Sequence, residues 1–324
     1  MKLRKLFKDP GSFISLMISK KSVMFLFLFG VVFLSACTTS TKTGSVTGAY
    51  ATCNGDDTQM VTATFADFAP VSSEESPYQP GDDIDTEIVL TNKYTKDIDS
   101  GNVKVRLTGD AAIDTIFSGA REETAETLYA IDPDTCLEET TETDVGPIVY
   151  NGEITTKISK ELTGLYCYEE PVVVKAYLYY TADSNEIGEN LPSGSNPPSS
   201  VQVTQIDQNP VDIDSGQDTG EMRFKIYLGN VGTGSIVPSL DDCFQYRDTS
   251  YREEFKLQVT QSAYNIECPE DVKLSRGDKT DVVTCLVTGI DSTNLGSQAS
   301  EITITLSDFA YEDTIPSTTI YLEP

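Results

Sequence analysis

Apolar and polar residues alternate with a period of two through most of this chain. Ile84, Thr86, Ile88 and Leu90 alternate with Asp85, Glu87 and Val89, and Val103, Val105 and Leu107 alternate with Lys104 and Arg106. Successive side chains of a strand point to opposite faces, so this pattern predicts strands with one face buried. It recurs over Val172 to Tyr180, at Met222, Phe224, Ile226 and Leu228, and over Val282 to Val287. Further strands are predicted at Gln59 to Phe65, Val201 to Ile206, Phe255 to Val259, Ile302 to Leu306 and Thr318 to Leu322, with Gly, Asn, Asp and Pro between them. Gly119 to Leu128 is the one segment with the pattern of a short helix. The expected fold class is all-β.

The start of the chain has a different pattern. Lys20 and Lys21 precede an apolar run, Val23 to Leu34, followed by Leu34-Ser35-Ala36-Cys37. A basic region, a short apolar region and small residues before a cut site make a secretory signal. The apolar run has 12 residues, whereas a membrane-spanning helix needs about 20. The tetrapeptide resembles the lipobox of bacterial lipoproteins, also met in some archaea. That resemblance implies that Cys37 is acylated on sulfur (a palmitate-type anchor) and becomes the mature N-terminus. Met17 would give a leader of ordinary length, which leaves two candidate starts. Thr38 to Thr47, rich in Thr, Ser and Gly, has the composition of a flexible tether.

Asp183 to Ser200 contains Gly188, Pro192, Gly194, Pro197 and Pro198 without apolar periodicity, as a linker would. The expected organisation is a signal peptide (1–36), a tether (37–58), a first β-sandwich (59–182), a linker (183–200) and a second β-sandwich (201–324). Each half is large enough to bury a core of its own. The segments Tyr78 to Asn92 and Phe224 to Ile236 resemble the strand, Asn-Gly turn and strand of CARDB-like and related immunoglobulin-like adhesion modules, common on prokaryotic surface proteins. The resemblance implies two tandem immunoglobulin-like antiparallel sandwiches. The chain has no tryptophan, so the usual tryptophan packed on a disulfide is missing.

Charge narrows the partners. The chain carries 23 basic and 51 acidic residues, a net charge of −28. Six of the bases (Lys2, Arg4, Lys5, Lys8, Lys20 and Lys21) and one acid (Asp9) precede Cys37, so the mature chain is more acidic still. Nucleic acid is bound by cations that displace counterions from phosphate, and this chain has the opposite field. Anionic headgroups are repelled for the same reason, which leaves lipid at Cys37 as the route to a membrane.

Seven cysteines in an exported chain point to disulfides in an oxidising compartment. With Cys37 set aside, six remain. Cys268 follows Tyr264 and Ile266 at alternate positions, and Cys285 lies between Val283 and Val287, which predicts a Cys268–Cys285 bond. By weaker analogy Cys136 is paired with Cys167. Cys53 and Cys243 are left over, to pair across the halves, stay free or bond another molecule.

The absence of histidine removes Ser-His-Asp and Cys-His nucleophilic sites and every histidine-containing metal site. There is no Cys-x-x-Cys pair. Gly229, Gly232 and Gly234 lack the spacing and following helix of a phosphate loop and are expected in a hairpin turn. Asp212, Asp214, Asp218 and Glu221, with Gly216 among them, are candidate calcium ligands at alternate positions around a turn. Asp97-Ile98-Asp99-Ser100-Gly101 repeats part of the pattern.

The expectation is therefore an extracytoplasmic, membrane-anchored lipoprotein that is not an enzyme and needs no cofactor beyond that calcium. It would act as a protein-binding or adhesion module. The alternatives are a structural subunit of a surface filament or envelope assembly, in which Ala49 to Asp67 donates a strand to a neighbour, and a carboxylate-based glycosidase.

Overall fold

Val103, Val105 and Leu107 are buried while Lys104 and Arg106 between them are half-buried, as an alternating strand with one face on a core requires. The computed structural model describes residues 53, 58–71, 73–109, 116–132, 134–245, 252–275 and 280–324. These belong to one unit, Thr47–Pro324. The fold is almost entirely β, in several antiparallel sheets of sandwich type.

One sheet has the order β13 (Ser235–Val237), β19 (Ala310–Leu322), β9 (Ile158–Glu169), β4 (Val103–Gly109), β6 (Glu122–Thr124). Against β19 lies β1 (Val61–Phe65), the edge of a three-stranded sheet with β3 (Glu87–Asn92) and β7 (Thr140–Asp144). A small sheet joins β2 (Asp83–Ile84), β8 (Ile148–Tyr150) and β5 (Phe117–Gly119). Two four-stranded sheets complete the fold. One is β10 (Val172–Tyr179), β18 (Ala299–Ser307), β14 (Arg252–Thr260), β16 (Asp271–Ser275), and the other is β11 (Val201–Gln208), β12 (Thr219–Asn230), β17 (Thr280–Asp291), β15 (Asn265–Glu267). Their flanks meet where β10 touches β11 and β16 touches β17.

Sheet membership does not follow the expected halves. β9 pairs along its length with β19, from Glu169 with Ala310 to Ile158 with Leu322, and β10 pairs with β18. Both pairings cross the 183–200 boundary. The chain leaves the sheet of β9 for that of β10 at Glu169–Val172 and returns to it at Ser307–Ala310, while 183–200 joins β10 to β11 in a further sheet. Segment 183–200 is exposed over most of 183–189 but packed from there on, with Asn190, Ser195, Asn196, Ser199 and Ser200 buried.

Several local expectations are corrected. Gly119 to Leu128 is not a helix, because Glu122–Thr124 pairs with β4, setting Glu122 opposite Arg106. An opposite-charge cross-strand pair of this kind favours the strand. The alternation from Ile84 to Leu90 is interrupted after Ile84, so that β2 and β3 join different sheets. Residues 230–235 form no hairpin but carry the chain from β12 to β13, in another sheet. A Cβ at Gly234 would fall 2.1 Å from Glu312 O, so the glycine admits β19 at close range. Within β9, a Cβ at Gly164 would lie 2.7 Å from Ile315 Cδ1, the residue opposite it on β19. Pro316 falls where the β9–β19 register shifts, between Ile315 and Thr318, which is where a sheet tolerates a proline.

Candidate functional site

The strand β1 ends in a tight turn. Ala66 and Ala69 form a bridge, and both are held to the start of β3, Ala66 N–H donating to Glu87 O and Glu87 N–H to Ala69 O. Asp67 and Phe68 are the two residues at the tip. Pro70 beyond it is buried, so the turn is anchored at both ends while Phe68 is 86% exposed. No other large apolar residue among those described is as exposed, and Val71 nearby is 41% exposed. The turn therefore holds a large apolar side chain in water at a fixed place.

The sheet beside Phe68 presents acids. Glu87 is paired with Asp144, and Val89 with Glu142, so these four side chains share the outer face of β3 and β7. Thr64 to Phe68, Glu87, Val89 and Glu142 line an open cavity of about 450 Å³. The Glu87 carboxyl is pushed above its ordinary range, first by desolvation and then by the charge of Glu142, its hydrogen bond to Glu142 and the charge of Asp144. The Glu87 and Glu142 carboxyl groups are in hydrogen-bonding contact. They do not have the separation of about 5 Å or more that glycoside hydrolysis needs on either side of a sugar.

A second polar cluster is internal, at the crossing points between sheets. Glu170 is 1% exposed, and one carboxyl oxygen accepts from Ser200 N–H at 2.6 Å while the other has no hydrogen-bond partner. Burial pushes this carboxyl up to about 8, against the pull of Ser200 and the Tyr168 hydroxyl. The Tyr168 hydroxyl lies 3.2 Å from Ser200 Oγ and accepts from Met60 N–H. Next to it the Tyr311 hydroxyl accepts from Gly234 N–H at 2.6 Å, and Asp313 accepts from Gln59 and Thr233, each at 2.6 Å. Burial raises both tyrosines far above the usual phenol range. The cluster ties β1, β9, β19 and the entry to β11 together. Its bonds run between elements of this chain, which makes it a fastening.

The cysteines pair differently from expectation in two cases of three. Cys268 and Cys285 are joined, by simple extension of the β15–β17 register, in which Glu267 faces Leu286. Cys136 is not joined to Cys167. Instead Cys53 bonds Cys136, and Cys167 on β9 bonds Cys243 after β13, so neither Cys53 nor Cys243 is left over. Cys37 and the lipobox lie outside the described residues. Within the strand-donor segment Ala49 to Asp67, Val61–Phe65 is paired with β3 of its own chain.

The calcium candidates do not converge. Asp212 and Glu221 pair through their backbones, N–H to O in both directions, closing a loop in which Gly216 has φ +89° and Gln217 N–H donates to Asp214 O. Arg223 lines the same cavity as Asp212 and Glu221. Among the described residues no group of three or more His, Cys, Asp or Glu side chains is placed to hold a metal ion. The Asp97 carboxylate is used to join two segments of the chain, accepting from Ala130 N–H at 2.7 Å.

Phe68 and Glu170 were not singled out from sequence. The signal for Phe68 was present, an aromatic residue between Asp67 and Ala69-Pro70 directly after a strand. For Glu170, the signal was a carboxylate wedged between the alternating segments of β9 and β10. No protein-family model matches the chain, and no curated protein matches it.

Proposed function

We propose that this chain is a lipid-anchored extracytoplasmic module that binds another protein through the Phe68 turn and the acidic face beside it. The carrying observation is the exposure of Phe68 on a turn whose two ends are fixed. Three disulfides support an oxidising compartment, and the lipobox-like Leu34 to Cys37 supports anchoring at Cys37. An aromatic knob beside Glu87, Glu142 and Asp144 fits a partner with an apolar socket and a basic rim.

The test compares retention of envelope proteins by immobilised wild type, Phe68→Ala and Val282→Ala at low and high salt. Val282, also exposed, lies on β17, away from the turn. One partner, lost with Phe68→Ala, kept with Val282→Ala and weakened by salt, is expected. Equal retention by all three proteins would overturn the proposal. Substituting Cys37→Ser is expected to release the protein from membranes and abolish incorporation of a palmitate analogue. An unchanged membrane fraction would overturn the anchor.

A further inference from the structure

β10 and β11 are edge strands, each paired on one side only within its sheet. An open strand edge presents N–H and C=O groups that template pairing with another chain. Here those groups are met by carboxamide side chains and by the segment first read as a linker. On β10, Tyr177 N–H donates to the backbone O of Asn190 at 2.8 Å, and Asn190 Nδ2 donates back to Tyr177 O at 2.7 Å. One repeat further, Tyr179 N–H donates to Gln208 Oε1 at 2.9 Å, and Gln208 Nε2 donates to Tyr179 O at 2.6 Å. Asn190 Nδ2 also donates to Gln208 Oε1 at 2.8 Å, joining the two rungs. On β11, Val203 N–H donates to Asn196 Oδ1 at 3.0 Å and Asn196 Nδ2 donates to Val203 O at 2.9 Å.

A carboxamide carries the same donor and acceptor as a peptide group. Gln208 and Asn196 each reproduce both hydrogen bonds of one antiparallel rung, and Asn190 completes a third with its backbone carbonyl and side-chain amide. None offers a strand on which pairing can continue. The chain around them is punctuated by Pro192, Pro197 and Pro198, which lack an N–H and make a poor strand. Asn190 and Asn196 are themselves buried, so these bonds are shielded from competing water.

We infer that segment 183–200, with Gln208, is an edge guard that closes β10 and β11 to strand addition by a second copy of this chain. Its failure and the failure of the Phe68 reading are separate outcomes, because the two rest on different faces.

The test is amide hydrogen exchange and sedimentation velocity on the full chain. In wild type, the amides of Tyr177, Tyr179 and Val203 are expected to exchange within about tenfold of those bonding β10 to β18. Exchange at the rate of unprotected amides would overturn the guard. The triple substitution Asn190→Ala, Asn196→Ala, Gln208→Ala, checked for retained β content by circular dichroism, is expected to lose this protection and to form larger species than wild type at equal concentration. A folded triple variant that sediments as wild type would overturn it. If the triple variant fails to fold, Gln208→Ala alone is expected to speed exchange at Tyr179 by about tenfold and to leave Val203 unchanged. No change at Tyr179 would overturn the guard.

Discussion

At the scale of single residues, Glu170 sets a pH dependence. Its carboxyl titrates at about 8 in the fold against an ordinary 4.5. Between these values the folded chain holds a proton that the unfolded chain has released, so the folded state loses stability as pH rises from about 4.5 to about 8 and levels off above. Glu170→Gln keeps an acceptor for Ser200 N–H and cannot ionise. Thermal unfolding midpoints of wild type are expected to fall between pH 5 and pH 8.5, with a flatter profile for Glu170→Gln; parallel profiles would contradict the assignment. Gly164 acts through shape alone. Gly164→Ala would press a methyl on Ile315, whose Cβ and Cγ1 are also within 3.2 Å of the new atom, and is expected to cost about 1–3 kcal/mol in urea unfolding.

At the scale of elements, the disulfides divide by how far they reach. Cys167–Cys243 spans 76 residues and Cys268–Cys285 spans 17. Loop-closure entropy grows with the span, so losing the first by Cys167→Ser and Cys243→Ser is expected to cost about 4 kcal/mol, and losing the second about 3 kcal/mol, in denaturant titrations. An equal or reversed order would mean that strain or residual structure dominates. Span also explains what was legible beforehand. Cys268 and Cys285 flank one local strand pair, whose apolar alternation exposes the register. Cys167 lies on β9, where Lys160, Glu161, Thr163 and Gly164 break up the alternation, so the longest central strand of the first half was not recognised. Its partner β19 lies in the other half and carries Pro316. Strong, clean repeats such as Val103 to Leu107 and Met222 to Leu228 were found because a half-buried strand leaves a local mark. A strand exposed at every position, such as Glu122–Thr124 beside β4, leaves none.

At the scale of the whole molecule, the exchange of strands between halves makes them interdependent. β10 leaves the first half to pair with β18, and β19 returns from the second to pair with β9. Residues 59–182 expressed alone would lack β19 beside β9, and residues 201–324 would lack both β10 beside β18 and β9 beside β19, so neither is expected to give a dispersed NMR spectrum. A dispersed spectrum from either fragment would contradict the shared sheets. The candidate binding face was less legible than the strands, because exposure of Phe68 depends on the turn being fixed to Glu87 across β3. The acidic surface leaves association to specific contacts, since charge repulsion disfavours non-specific ones.

The most direct test of the central claim is site-specific photo-cross-linking in intact cells, with a photoreactive phenylalanine analogue at position 68 and, as the control, at position 282. The account predicts one adduct with a foreign protein from position 68 and none from position 282. A regular ladder of self-multiples from position 68 would identify a structural subunit, and the absence of any adduct there would remove Phe68 from the function of the chain.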